Sequence, residues 1–393
     1  MRRARSHARK RTLRSTLVGS QHGYEAGRTL AASHGQQVGR AARPTRYGYC
    51  GQQYVRSCTA AGADAVACRR VKTPPIGETG RIRHTDTARW DTSMYKNLNT
   101  AALGISGRQS ELIELALTYG FQGLDLDMAD VIKRTRARGL DAARRYVVSA
   151  SVRVGEFQLP IDLRQPDVTY RSALVELQEV AQTAAALGAT VCTATVLPCG
   201  GELPYHENFE LHRRRFGEIG DVLAQHGIKL GLTFLAAAAE REGHPFPFIH
   251  QVDTLLTLIR TTSNPHVGLT LDTWNWFVGG GTLDQLYQFP AEQIVAVRLA
   301  DYPAAQDRER LTDQDRYLPG DDGSIDCAAI LRHLVEHGFT GPVTLCPHPS
   351  RFRGMTRDAV VQQAGARFDA LLRAAGISRT GKLEPLPVES EQA

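Results

Sequence analysis

A (β/α)8 barrel, the TIM-barrel architecture, is the fold class the sequence predicts, and three observations predict it. Eight short apolar segments recur between residues 96 and 346. Amphipathic helical patterns lie between most of them. Glycines at 120, 188, 227 and 338 stand where those helices would end, each just ahead of the next strand. Glycine suits that place because it adopts a left-handed conformation without a Cβ penalty. Apolar strands that alternate with helices belong to a parallel sheet covered on its outer face. Eight such units in about 300 residues suit a closed barrel better than an open doubly wound sheet. No G-x-G-x-x-G follows the first strand, so a dinucleotide site has little support.

In chain order, the strand-like segments are KNLNTAALG (96–104), FQGLDLD (121–127), VVSASVRV (147–154), TVCTATVL (190–197), IKLGLTFL (228–235), VGLTLDT (267–273), IVAVRLA (294–300) and PVTLC (342–346). The first helical pattern, QSELIELALTYG, places Leu112, Ile113, Ala116 and Leu117 on one face. SALVELQEVAQTAAALG carries a longer Leu/Val/Ala stripe.

The barrel is expected to occupy residues 94–377, between a basic arm (1–93) and a flexible tail (378–393). The arm holds 18 Lys and Arg against 5 Asp and Glu, net +13, whereas the remaining 300 residues hold 29 against 36, net −7. The overall +6 therefore describes neither part. The arm is rich in Arg, Gly, Ala, Ser and Thr and has no apolar period, which predicts disorder. Three readings of it stay open: an organellar targeting segment, a nucleic-acid-binding tail, or upstream sequence translated from a start codon set too early. Met94, the second of four methionines, directly precedes the first strand-like segment and favours the last. A polycation binds nucleic acid without specificity, so no specific nucleic-acid partner is expected.

Seven cysteines, an odd number with no C-x-x-C pair, point to reduced thiols in a cytoplasmic protein. No apolar run is long enough to span a membrane. A homo-oligomer is left open.

Chemistry in such a barrel collects at the C-terminal ends of the strands. Reading those ends gives Asn99 and Thr100, Asp125 and Asp127, Thr195, Thr233, Asp272 and Asn275, Arg298 and Asp301, and Cys346 and His348. Asp272 is the most telling, because an acid at the exit of an apolar strand packs poorly and reaches a pocket well. Asp125 and Asp127 lie two apart on a strand and point to one face. They either face substrate or form a structural ion pair. The tryptophans Trp274 and Trp276 read as packing, and HRRRF (212–216) as a solvated helix face.

Several blocks carry a resemblance: GIKLGLTFL, VGLTLDTWNWFVGGGTLDQL, IVAVRLADYP, DRYLPGDDGSID and HGFTGPVTL. From about Tyr95 to Ile377 the chain resembles the xylose-isomerase-like family of sugar phosphate isomerases and epimerases. The resemblance implies a sugar, polyol or sugar phosphate as ligand. It also implies one divalent metal, Mn²⁺ or Mg²⁺, held by Glu, Asp, His and Glu at the ends of strands five to eight, with the glutamates moving a proton between neighbouring carbons. Those four positions fall on Thr233, Asp272, Arg298 and Cys346, so only Asp272 is retained. Asn275 stands where the family has a substrate-facing His, and Arg316 lies in a block resembling a substrate-contacting loop.

Thr is a weak ligand for a hard cation, and Arg298 places a permanent positive charge where the metal would sit. No cofactor is therefore expected, unless a relocated metal site exists near Asp272 or Asp301 with His348 and Cys346. Arg298 is expected to pair with Asp272 and to stand in for the metal, and Cys346 to act as an acid/base group if Arg298 lowers its pKa. Asp272, Arg298, Cys346 and His348 are thus the candidate catalytic residues, with Asp125, Asp127, Thr233, Asn275, Asp301 and Arg316 as candidate substrate contacts. A catalytically silent sugar-binding or scaffold protein is the alternative. A nuclease on the same barrel would need a multi-zinc cluster of His, Glu and Asp that these strand ends lack.

Overall fold

The computed structural model describes residues 93–384 apart from 200, 245, 321 and 322. The basic arm, except for Ser93, and the end of the expected tail lie outside the described residues. The elements run β1 (Tyr95–Leu98), α1 (Gln109–Thr118), β2 (Gly123–Leu124), α2 (Met128–Arg138), α3 (Leu140–Ser149), β3 (Arg153–Val154), β4 (Glu156–Gln158), α4 (Asp167–Ala186), β5 (Val191–Val196) and α5 (Tyr205–Ala224). They continue β6 (Lys229–Phe234), α6 (Val252–Thr262), β7 (Val267–Asp272), α7 (Thr273–Val278), α8 (Leu283–Tyr287), β8 (Ile294–Leu299), α9 (Cys327–Glu336), β9 (Pro342–Leu345) and α10 (Arg357–Ala374).

Among the described residues the strands form one parallel sheet in the order β3-β2-β1-β9-β8-β7-β6-β5-β4. Its two ends, β3 and β4, are separated in the chain by Gly155 alone. Residues 153–158 are thus one strand that pairs first with β2 (Gly123↔Arg153) and then with β5 (Glu156↔Val191), and this closes an eight-membered barrel. Gly155 is required at the exchange. A Cβ there would collide with the side chains of Asn97 and Asp125. The Asp125 carboxylate bridges the seam, its Oδ1 accepting from the Glu156 N–H at 2.8 Å.

The barrel has two apolar compartments. Between sheet and helices lies the main core, including Leu98, Phe157, Leu230, Leu271, Val297 and Phe368. Inside the ring, among the described residues, a small separate cluster holds Val191, Val295 and Ala296. Much of the remaining interior is polar, with Asn97, Glu156, Thr193, Thr233, Thr270, Asp272 and Thr344 all buried. A polar barrel interior is costly unless its groups pair with one another, and at the upper end they do.

The four helix-closing glycines have φ between +70° and +89°, the left-handed region expected of them. The third strand departs from the expectation. The pattern of VVSASVRV predicts a strand, whereas Val147 to Ser149 end α3 and the strand begins at Arg153. A short apolar run fits a buried helix turn as well as a strand, and Gly155, one residue past the expected segment, is the closure point. Residues 378–384, assigned to the tail, turn back on the barrel: Ile377 bridges Leu383, and Ser93 Oγ donates to the Thr380 carbonyl at 2.7 Å. No helix among the described residues is long and apolar enough to cross a membrane.

Candidate functional site

Two arginine–carboxylate pairs occupy the mouth of the barrel. The first spans it. Arg298 on β8 donates from Nε to Glu156 Oε1 at 3.0 Å and from Nη2 to Glu156 Oε2 at 2.8 Å, and Nη2 also reaches Thr193 Oγ1 at 3.1 Å. Since β8 and β4 lie on opposite sides of the ring, this forked bond crosses its interior. Glu156 is 1% exposed, so its charge depends on that guanidinium. The second pair joins strand to loop. Arg316 Nη1 lies 3.2 and 3.1 Å from the two carboxylate oxygens of Asp272, Nε donates to Asp313 at 2.6 Å, and the guanidinium rests 4.7 Å from the Trp274 ring centre. Asp272 Oδ1 also caps α7 by accepting the Asn275 N–H at 2.9 Å.

The expected Asp272–Arg298 pair is therefore corrected. The two residues are register partners on adjacent strands, but each takes a different mate. Arg298 is long enough to reach Glu156 across the ring. Arg316 descends from the loop after β8 onto Asp272. Glu156 lies beyond the segment 147–154 that the sequence pattern predicts as the third strand, which in the structure runs 153–158. The only available signal was an acid directly after a glycine in a segment of uncertain register.

Asp125 sits beside these pairs at the exit of β2. Its Oδ1 accepts from Asn97 Nδ2 at 2.7 Å as well as from the Glu156 amide. Burial, and after it the Glu156 charge, raise its pKa to about 8 against the opposing hydrogen bonds and Arg298. The residue nonetheless keeps partial exposure. No guanidinium forms an ion pair with it among the described residues. Asn97 Nδ2 also donates to Thr344 Oγ1 at 2.9 Å, which links β1, β2 and β9 across the interior.

The other candidates divide. Thr233 is buried on β6, paired in register with Thr195. Cys346 is buried, and burial pushes its thiol well above the usual range despite the lowering effect of Arg298, so it does not supply the thiolate that the acid/base expectation required. His348 lies at the rim. Its Nδ1 faces Ser350 Oγ at 2.8 Å and Nε2 lies 3.9 Å from Asp313, which places it in the rim loops rather than beside Arg298. Asp127 is exposed and caps α2 through the Ala129 and Asp130 amides, so it does not share the interior with Asp125. Asn275 is buried and accepts the Ala236 N–H at 3.0 Å, fastening the loop after β6. Asp301 is 1% exposed and its Oδ1 accepts from Tyr302, Ser324 and Ile325 at 2.8–2.9 Å. It closes the base of the loop that carries Arg316.

This donor set does not fit a divalent metal. Both Asp272 oxygens are engaged by Arg316, the Cys346 thiol is held neutral, and Arg298 puts a guanidinium inside the ring. Among the described residues no group of three or more His, Cys, Asp or Glu is placed to hold one. The arrangement instead places two guanidiniums, Arg298 and Arg316, and one carboxyl of raised pKa, Asp125, at the C-terminal ends of the strands, with Arg298 near enough to act on the Asp125 charge. Such groups can stabilise a developing oxyanion and exchange a proton.

A sequence profile described as xylose isomerase-like TIM barrel matches residues 113–371. The chain is 27% identical over 150 residues to an inosose isomerase of Bacillus subtilis, a match covering 37% of this chain and 50% of that protein. The chain thus spans about half the length of the inosose isomerases it matches. Among solved structures, a xylose isomerase domain protein from Alicyclobacillus acidocaldarius superposes with a TM-score of 0.66 at 24% identity, covering 72% of this chain and 99% of that one. D-psicose 3-epimerase from Clostridium cellulolyticum, solved with D-tagatose, superposes with a TM-score of 0.57 at 13% identity, covering 71% and 99%. At these identities the structural likenesses establish the fold.

Proposed function

The chain belongs to the xylose isomerase-like TIM-barrel family, and on that premise we propose that it catalyses an isomerase- or epimerase-type proton transfer on a small sugar-like carbonyl compound without a divalent metal. The observation that carries this reading is the convergence of Asp125 with two guanidiniums at one mouth. Asp125 as carboxylate takes the proton from the carbon next to the substrate carbonyl. The electron pair moves onto the carbonyl oxygen, and a guanidinium meets the charge that develops there. The proton of the neighbouring hydroxyl passes to that oxygen, and Asp125, now protonated, returns its proton to the former carbonyl carbon, so that carbonyl and hydroxyl exchange places. A raised pKa suits both halves of the cycle, because it makes the carboxylate a stronger base and keeps the acid form available near neutrality. The inosose isomerase relatives and the D-tagatose-bound epimerase support a hydroxylated ketone as substrate class.

The test is solvent exchange. The protein is incubated in D₂O with a panel of ketoses, aldoses, inososes and their phosphates, and proton NMR follows deuterium entering the carbon beside the carbonyl. Exchange on at least one compound is expected. It should persist in EDTA and disappear in Asp125→Asn. A second reading, a catalytically silent sugar-binding protein, is favoured by one observation: both mouth guanidiniums are already neutralised by carboxylates of the protein itself. Absence of exchange across the panel would decide for it.

A further inference from the structure

A cavity of about 170 Å³ opens beside the mouth, between the ends of β4 and β5 and the inner face of α5. Gln158, Thr193, Thr195, Asp162, Cys199 and His212 are among the residues that line it. It joins the site already described, because Thr193 Oγ1 accepts from Gln158 Nε2 at 2.9 Å and from Arg298 Nη2 at 3.1 Å. Its volume is enough for several waters, hence for a short chain of hydroxylated carbons.

His212 gives the cavity its chemistry. The residue is 5% exposed and packs between Phe216 and Phe248, with ring centres 5.8 and 4.9 Å away. Its Nδ1 lies 2.8 Å from the Asn208 carbonyl oxygen. A carbonyl only accepts, so Nδ1 carries the proton, and in a neutral ring Nε2 is then a bare acceptor. Burial keeps the ring neutral by drawing its pKa down to about 4. Nε2 makes no hydrogen bond among the described residues, and the side chain borders the cavity. The cationic group of the lining, Arg164, is paired with Asp162 at 3.2 Å. Neighbouring Arg215 gives its Nη donors to the Leu163 and Gln165 carbonyls and to Asp167, the carboxylate that balances its charge, while its buried Nε has no partner among the described residues. A phosphate would thus meet a lone pair and no free cation, whereas a hydroxyl would find an acceptor.

We propose that this cavity is the subsite for the uncharged, hydroxyl-bearing end of the substrate, with His212 Nε2 accepting a hydrogen bond from one of its hydroxyls. The assignment rests on the sugar-type reading of the mouth and narrows it to substrates that carry no phosphate at that end.

The experiment uses the full chain labelled with ¹⁵N-histidine, with xylitol as probe. Long-range ¹H–¹⁵N spectra should contain a neutral, Nδ1-protonated histidine across the neutral pH range that is assigned to His212 by its loss in His212→Gln. Xylitol should move its Nε2 resonance upfield. His212→Phe, checked for folding by circular dichroism, should bind xylitol about tenfold more weakly, the value of one hydrogen bond. Inorganic phosphate should leave the Nε2 resonance where it is. An Nε2-protonated tautomer, an unmoved Nε2 resonance at the highest xylitol concentration reached, or a shift of it by inorganic phosphate alone would each overturn the proposal. If His212→Phe does not fold, the wild-type resonance still decides. A xylitol response without deuterium exchange at the mouth would remove the catalytic reading and leave the subsite standing. Exchange on a substrate that leaves Nε2 unmoved would do the reverse.

Discussion

Replacing Glu156 by alanine removes both hydrogen-bond acceptors that hold Arg298 across the barrel, leaving its guanidinium with Thr193 Oγ1. The two side chains are 1% and 12% exposed, so water cannot compensate fully for the loss. Breaking a buried pair by removing one partner costs about 3–5 kcal/mol. Unfolding entropy of about 2.1 cal/mol/K per residue gives a body of about 290 residues roughly 0.6 kcal/mol per degree. Glu156→Ala should therefore lower Tm by about 5–8 °C. Replacing both residues by methionine should recover most of the loss, because an apolar pair of similar volume is close to neutral against a buried ion pair. The assay is calorimetry on Glu156→Ala, Arg298→Ala, the double alanine variant and the double methionine variant. If the two alanine losses simply add, to within about 0.5 kcal/mol, the residues are not coupled and the cross-barrel bond has no energetic reality.

Asp125 titrates near 8 in the folded state against 3.8 in its free form, so the folded state keeps a proton that the unfolded chain has released. Its contribution to stability is therefore present below about pH 4 and is lost as pH rises towards 8. The Tm of the wild type should fall relative to Asp125→Asn across that window, and a difference that stays flat would refute the assignment. Gly155→Ala should prevent barrel closure and abolish accumulation of folded protein. Gly217→Ala, whose Cβ would meet nothing nearer than 3.9 Å, should be neutral or stabilising by about 1 kcal/mol. Asp301→Ala removes the acceptor of three amides at the base of the Arg316 loop, so trypsin should cut at Arg308 and Arg310 faster than in the wild type, and an unchanged cleavage rate would count against that anchor.

The closed barrel was readable from the sequence because each unit repeats one physical requirement, a strand apolar on its sheet–helix face followed by a helix that a left-handed glycine ends. Gly120, Gly188, Gly227 and Gly338 sit where that argument puts them. The site was half readable. Strand-end polarity identified Asp125, Asp272 and Arg298 as mouth residues and the family resemblance added Arg316, but neither could say which carboxylate each arginine takes. That choice depends on side-chain reach across the ring, which strand order alone does not contain. Glu156 was hidden by the register of a single strand, and His212 by lying on a helix that reads as a charged surface. Cys346 shows a different limit. Proximity to Arg298 suggested a thiolate, and desolvation outweighs that attraction in this position.

Glu156 and Arg298 are 142 residues apart in the chain, and that separation sets when their bond can form. In a partly assembled barrel both side chains remain hydrated, and their attraction contributes little until the opposite walls of the ring are in place. The bond is therefore a late event in folding and an early one to be broken on the way out. An interaction absent from the transition state slows unfolding without hastening folding. The bar across the mouth thus acts on the lifetime of the folded state, so a ligand that reinforced it would lengthen that lifetime while leaving the rate of refolding unchanged.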